Sequence, residues 1–435
     1  MHISHKFLFI ITPLFVFSSL QAQIKYIHCG RLIDGISNEA KTEMTLVIEN
    51  NKISQILKGY QTPPQEATLI DLKDQTVLPG LMDMHVHIES QQSPQTYTER
   101  YTLNKEDVAF RAAKYAKITL MSGFTTVRDL GGSGVNIALR KAVDAGWTVG
   151  PRIYTAGKSI APTGGHADPT NGYRNDLMGD PGPELGVING TDDCRKAVRH
   201  QLKLGADLIK ITATGGVLSV AKDGFRPQFT EEEIKAIVET CNDLGITTAA
   251  HAHGPEGMKR AIRAGITSIE HGTLMDDEVI ALMKQYGTYY VPTISAGEYV
   301  AEQAKIPGRF PDVIVPKALS IGPQIRQTFA KAYKAGVKIA FGTDTGVSAH
   351  GDNAKEFGFM VSAGMPPMLA IKSATMEAAK LLRIENTLGS IEQGKLADIV
   401  GVKGNPLDQI TVLENISFVM KDGKMYKLNG KEVME

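Results

Sequence analysis

The sequence predicts an α/β protein: a (β/α)8 TIM barrel with a small β-sandwich domain formed from both chain ends. Three observations lead there. Over residues 79–386, apolar strand-like runs alternate with longer helical patterns. Eight such runs can be counted, most of them followed by a helix. At both ends the texture changes to short alternating segments separated by Gly and Asn-Asn turns, which read as strands and hairpins.

In chain order, residues 1–22 come first. Lys6 and two histidines precede an apolar run from Phe7 to Phe17, and Ala22 is a plausible last residue before cleavage. This is the layout of a secretory signal peptide. The run is broken by Pro13 and is shorter than the roughly 20 residues a membrane span needs. Export to a periplasm or the outside is the expectation, with no membrane attachment afterwards. Residues 23–78 (IKYIHCGRLIDGI, MTLVIENNKISQILKG, ATLIDLKDQTVLPG) and 387–435 (GKLADIVGVKG, ISFVMKDGKMYKLNG) are expected to pair into the small domain. The barrel, residues 79–386, contributes TVLPGLMDMH, GFTTVRDL, PRIYTAG, ADLIKITATG, GITTAAHAH, GITSIEHG, TYYVPTIS and VKIAFGTD as strands. Segments such as TEEEIKAIVETCNDLG and PEGMKRAIRAG read as helices with Gly at the exit.

Composition excludes some classes. The chain has 435 residues, enough for a large core, and Lys+Arg and Asp+Glu are both 47. With no basic excess, a nucleic-acid partner is not expected. Cys29, Cys194 and Cys241 are too few and scattered for a disulfide scaffold or a cysteine-rich zinc site.

The 11 histidines carry the main signal. His85 and His87 form His-Val-His at the end of the first barrel run. In a strand, i and i+2 share a face, so both rings point one way. Alone, the pair also admits a reading as core or surface histidines. In ADLIKITATGG, Leu208, Lys210, Thr212 and Thr214 share a face, so Lys210 points into the barrel. A buried ammonium is costly unless paired or neutralised. An internal ion pair is one solution; reaction of the neutral amine with carbon dioxide is another, giving an anionic carbamate with an oxygen for each of two metals. His251 and His253 close the fifth run, His271 the sixth and Asp344 the eighth. Five strand ends thus deliver five His, one Lys and one Asp to one mouth, where barrel enzymes keep their sites. Imidazole and carboxylate together suit zinc or a similar divalent ion.

These residues, with LPGLMDMHVH, GFTTVRDLGG, IEHGT, FGTDTG and the tail LGSIEQGKLADIV, resemble the amidohydrolase superfamily with a binuclear metal centre. The match runs from Ile24 to the end of the chain. TGGHADP and HGDN look like the prolidase-like, imidazolonepropionase-related branch, which includes exported Xaa-Pro and Xaa-Arg/Lys dipeptidases and ochratoxin-hydrolysing amidohydrolases. The resemblance implies that His85 and His87 bind the more buried of two divalent ions, of which zinc is the first choice, and His251 and His271 the more exposed one. Lys210, carboxylated on its amine, would bridge both together with a hydroxide. Asp344 would ligate the buried ion and act as the catalytic proton carrier. A dipeptide or N-acyl-L-amino acid is then the expected substrate, and self-association into a homo-oligomer is expected. Cyclic-amide and lactone or ester hydrolysis use the same centre, and a non-catalytic metal-binding scaffold is the alternative outside enzymology. His166, Tyr173, Arg174, Arg226, His253 and His350 are the candidate substrate contacts, because all but His253 sit in post-strand loops. Arg128 ends the second strand as a candidate contact or as an ion-pair partner of Asp129 or another barrel acid.

Overall fold

A computed structural model describes residues 23–219 and 224–433; the leader read at residues 1–22 lies outside the described residues. Seven parallel strands form most of a barrel. Leu81–Val86, Phe124–Asp129 and Arg152–Thr155 make one sheet, and Leu208–Thr212, Thr247–Ala252, Ser268–His271 and Tyr289–Val291 make another. Parallel bridges of Ile160 with Ile211, Tyr290 with Ile339, and Val86 with Thr345 close the ring. The eighth run is an extended segment, not a continuous strand. It pairs on both sides through Ala340 N to Tyr290 O, Met84 N to Phe341 O and Asp344 N to His85 O. Most of the strands are buried along their whole length, as a sheet covered on one face by helices and on the other by its own interior must be.

Local chemistry sets the helix starts. Thr230 caps Glu231–Asp243 in a reciprocal box with Glu233, and the Asp276 carboxylate caps Asp277–Tyr286 through Val279 N. After the third strand, the long connection contains the helix Gly190–Leu204. After the seventh strand come two helices, Ile294–Gln303 and Val315–Lys334.

The two chain ends pair into one eight-stranded sheet. Its centre is Thr68–Pro79, flanked by Ile24–Leu32 in parallel and Ile399–Lys403 in antiparallel. The sheet curls: Lys52–Lys58, at one edge, returns to residues 394–397 through a bridge of Lys52 with Leu396. It encloses a core of its own that includes Ile27, Leu46, Leu72, Ile399 and Phe418. The expected sandwich is thus a single sheet wrapped on itself. The run TVLPGLMDMH, read as one strand, is split. Residues up to Pro79 belong to this sheet, and Leu81 onward to the barrel. Gly80 is the crossing point because a Cβ there would lie 2.2 Å from Thr125 Oγ1.

Candidate metal centre

The strand ends deliver their side chains into one cavity of about 240 Å³, whose lining includes His85, His87, His166, Lys210, His251, His253, His271 and Asp344. Period-two alternation brings His85 and His87, and His251 and His253, to the same side. It does not explain His271 or Asp344, because Glu270 already faces inward. Both residues adopt left-handed backbone, φ 68° and 57°, as does Thr293 at φ 55°. Such backbone costs of order 1–3 kcal/mol at a non-glycine residue and persists only where the surroundings enforce it. Here it turns the last side chain of each run into the mouth.

Hydrogen bonds fix which nitrogen each ring leaves free. His87 Nδ1 donates to Gly131 O at 2.7 Å and His85 Nδ1 to the Glu270 carboxylate at 2.9 Å. Carbonyls and carboxylates only accept, so both rings carry a proton on Nδ1, and in the neutral imidazole the lone pair is on Nε2. Those two lone pairs face Asp344 Oδ1 at 3.5 and 3.3 Å. Asp344 Oδ1 is buried with no hydrogen-bond partner. Three acceptors thus face one another, and a proton on Asp344 would satisfy one contact only. A divalent cation satisfies all of them. His271 belongs to the same convergence: one donor atom each from His85, His271 and Asp344 lie within 4.8 Å of one another. His271 Nδ1 bonds Thr293 Oγ1 at 2.8 Å, and its other nitrogen faces the cavity. His251 is reversed: its Nε2 donates to Gly215 O at 3.0 Å, which leaves Nδ1 as the nitrogen not engaged by that bond.

Burial pushes the pKa of His85, His251 and His271 well below the ordinary imidazole range, of His166 to about 4 and of His253 to about 3. Neutral imidazole is the ligating form. Burial also lowers Lys210 to about 8, despite the opposing pull of Glu270 and Asp344, and so enlarges the fraction of free amine. Burial raises Asp344 to about 6. The donor set fits divalent metal.

The amidohydrolase family profile matches residues 76–426. The chain belongs to the amidohydrolase family. It is a hydrolase acting on C–N bonds. It is 32% identical to ochratoxinase of Aspergillus niger over 442 residues, covering 96% of this chain and 90% of the relative. A crystal structure of a Xaa-Pro dipeptidase with methionine bound in its active site superposes with a TM-score of 0.91 at 57% identity, covering 93% of this chain and all of that one. Imidazolonepropionase of Fusobacterium nucleatum is 22% identical over 392 residues, 81% of this chain and 83% of the relative.

The substrate candidates of this amidohydrolase fare unevenly. His166 and His253 line the cavity. The His166 ring lies 4.5 Å from that of His251 and has a buried, unpartnered Nδ1. It rests on Gly216, where a Cβ would come within 2.5 Å of three ring atoms. His253 Nδ1 is bonded to Thr273 Oγ1. Tyr173 lines an adjoining pocket with Arg100 and Tyr101, which shares His166 and Leu218 with the cavity, and Arg174 pairs with Asp176 at the surface. Two expectations are corrected. Arg226 is exposed and does not line the cavity; its backbone is held by the bridge of Thr214 with Pro227 and by Gly215 N to Arg226 O. His350 is buried outside the cavity, stacked on Tyr115 with centroids 4.4 Å apart, and its Nε2 donates to Ser90 O.

Arg128 pairs with Glu270 at 2.8 Å, another barrel acid as the sequence allowed, and not with Asp129. Sequence reasoning missed the rest of the supporting shell. Asp83 accepts from Thr343 Oγ1 and Asn353 Nδ2, which ties the eighth segment to the first strand and gives HGDN its structural part. Glu356 accepts from Ile294 N and Ser295 N, just after the Thr293 that holds His271. The available signal was complementary: a lone acid in SIEHG and a lone cation in TTVRDL, both on strands too apolar to tolerate either alone.

Proposed function

We propose that this amidohydrolase cleaves the amide bond of dipeptides or N-acyl-L-amino acids after export, and that it holds two divalent ions, zinc in the first instance. Their ligands are His85, His87, His251, His271, Asp344 and a carboxylated Lys210. The observation that carries the reading is the convergence of His85 Nε2, His87 Nε2 and the unpartnered Asp344 Oδ1. Similarity to a Xaa-Pro dipeptidase supports the dipeptide end of the substrate range. Export rests on the leader pattern of residues 1–22.

When bound, the metal pair supplies an activated water at neutral pH and polarises the scissile carbonyl. The chain supplies the rest. Glu270 and Gly131 hold His85 and His87 in the tautomer that faces Asp344. Asp344 takes the proton of the attacking water on the carboxylate oxygen not turned to His85 and His87, and returns it to the leaving amine. His166 and His253, neutral and within the same cavity, orient the substrate. Asp344→Asn is expected to retain most of its metal while turnover falls ~10²–10⁴-fold, read by elemental analysis beside an amino-acid release assay. Wild-type turnover at equal metal content would remove Asp344 from the reaction.

A further inference from the structure

The cavity has two unlike ends. One holds the strand-end ligands. The other is apolar, walled by Val217 and Leu218 of the strand-four loop, Ala296 and Val300 of one helix, and Ile321 and Ile325 of the next. Ile321 and Ile325 are four apart and so lie on one helix face. Val217, Val300 and Ile321 belong to a hydrophobic cluster distinct from the barrel core. Among the described lining residues, Lys210 and Asp344 are the formally charged ones, and both sit at the ligand end.

Gly297 opens this lobe. The helices Ile294–Gln303 and Val315–Lys334 meet at Gly297 and Gly322, where a Cβ on Gly322 would lie 3.3 Å from Gly297 O. A Cβ on Gly297 would lie 3.0 Å from Ile325 Cγ2 and 3.8 Å from Gly322 Cα, against the second helix at a wall residue of the lobe. A larger side chain at 297 therefore displaces Ile325 and reshapes the wall.

We infer that the lobe receives a bulky uncharged side chain, branched aliphatic or aromatic, from one of the two residues joined by the scissile amide, and that Gly297 sets its depth. This rests on the proposed amide hydrolysis and narrows it. A charged side chain would lose its water there and meet no charged group among the described residues of the lobe wall; the Lys317 ammonium nearby is held by Gly216 O and Ser219 O. A methyl group would leave the wall uncontacted.

The test uses two dipeptide series on the zinc-loaded protein, one varying each residue through Ala, Leu, Phe, Arg and Asp. In one series kcat/KM for Leu or Phe is expected to exceed that for Ala, Arg and Asp by about tenfold or more. Gly297→Val should compress that ratio in the same series, and Ile325→Ala should shift it towards the largest side chain. A flat pair of series, a preference for charge, or variants that scale all substrates equally would overturn the inference. Calorimetric titration with free L-leucine, L-phenylalanine, L-arginine and L-aspartate reads the lobe without turnover. Leu and Phe should bind at least ~10-fold more tightly than Arg and Asp, and Gly297→Val should abolish the difference; equal binding of all four would overturn the inference. Selective binding without cleavage strikes the proposed function alone. Cleavage without selectivity strikes the lobe alone.

Discussion

Glu270 serves three neighbours with one carboxylate, His85, Arg128 and Ser268. Oε2 accepts from His85 Nδ1 and Oε1 from the buried guanidinium of Arg128, which also donates to Met84 O and Ser268 Oγ. Glu270→Gln would leave Arg128 charged and without a counter-ion. Removing one partner of a buried pair costs about 3–5 kcal/mol. The expected result is a loss of that size in denaturant unfolding, with metal affinity down ~10–100-fold because His85 loses its anionic acceptor. Replacing both residues together, Arg128→Met with Glu270→Leu, should recover much of the stability and none of the metal affinity. A single variant within 1 kcal/mol of wild type, on the order of a surface change, would contradict this role.

At the scale of elements, the mouth depends on how the seventh and eighth runs are anchored. Glu356, on the helix Lys355–Ser362, accepts the first backbone donors of Ile294–Gln303. Burial raises its pKa to about 7 from the ordinary 4.5. Between those values the folded state holds more protons than the unfolded chain, so stability contributed by this group is present below the lower value and is lost as pH rises through the upper one. With both proteins stripped of metal, the unfolding free energy of wild type minus that of Glu356→Gln should therefore fall from pH 5 to pH 8. A difference that does not change across that window would contradict the assignment. The same elements show what was legible beforehand. His85, His87, Lys210, His251 and His253 could be placed because a two-residue period fixes their side. His271 and Asp344 were found by position, but their direction depends on left-handed backbone that no periodicity encodes. Arg226 and His350 were misplaced because loop side chains are set by distant partners, Ser90 and Tyr115 among them for His350.

At the scale of the whole molecule, the curled sheet from the two chain ends is bolted to the end of the barrel opposite the mouth. Arg152 opens the third strand and pairs with Asp398 and Asp422, while Lys421 donates to Gly150 O. The two strand systems meet along Thr68–Pro79 and Ile399–Lys403, so neither end of the chain completes the sheet without the other. Arg152→Ala leaves the buried Asp398 without its ion-pair partner and should cost about 3–5 kcal/mol. It should leave kcat/KM within about twofold at temperatures where the variant is folded, because it acts on scaffold stability and not on the site. A large fall in kcat/KM without loss of stability would mean that the sheet communicates with the mouth.

The most direct measurement is amino-acid release from a panel of L-dipeptides and N-acyl-L-amino acids by the zinc-loaded protein, beside a chelated control. The geometry of His85, His87, His271 and Asp344 predicts release that disappears on chelation and returns with added metal. Release untouched by chelation, or none across the panel from protein shown to carry its metal, would contradict it.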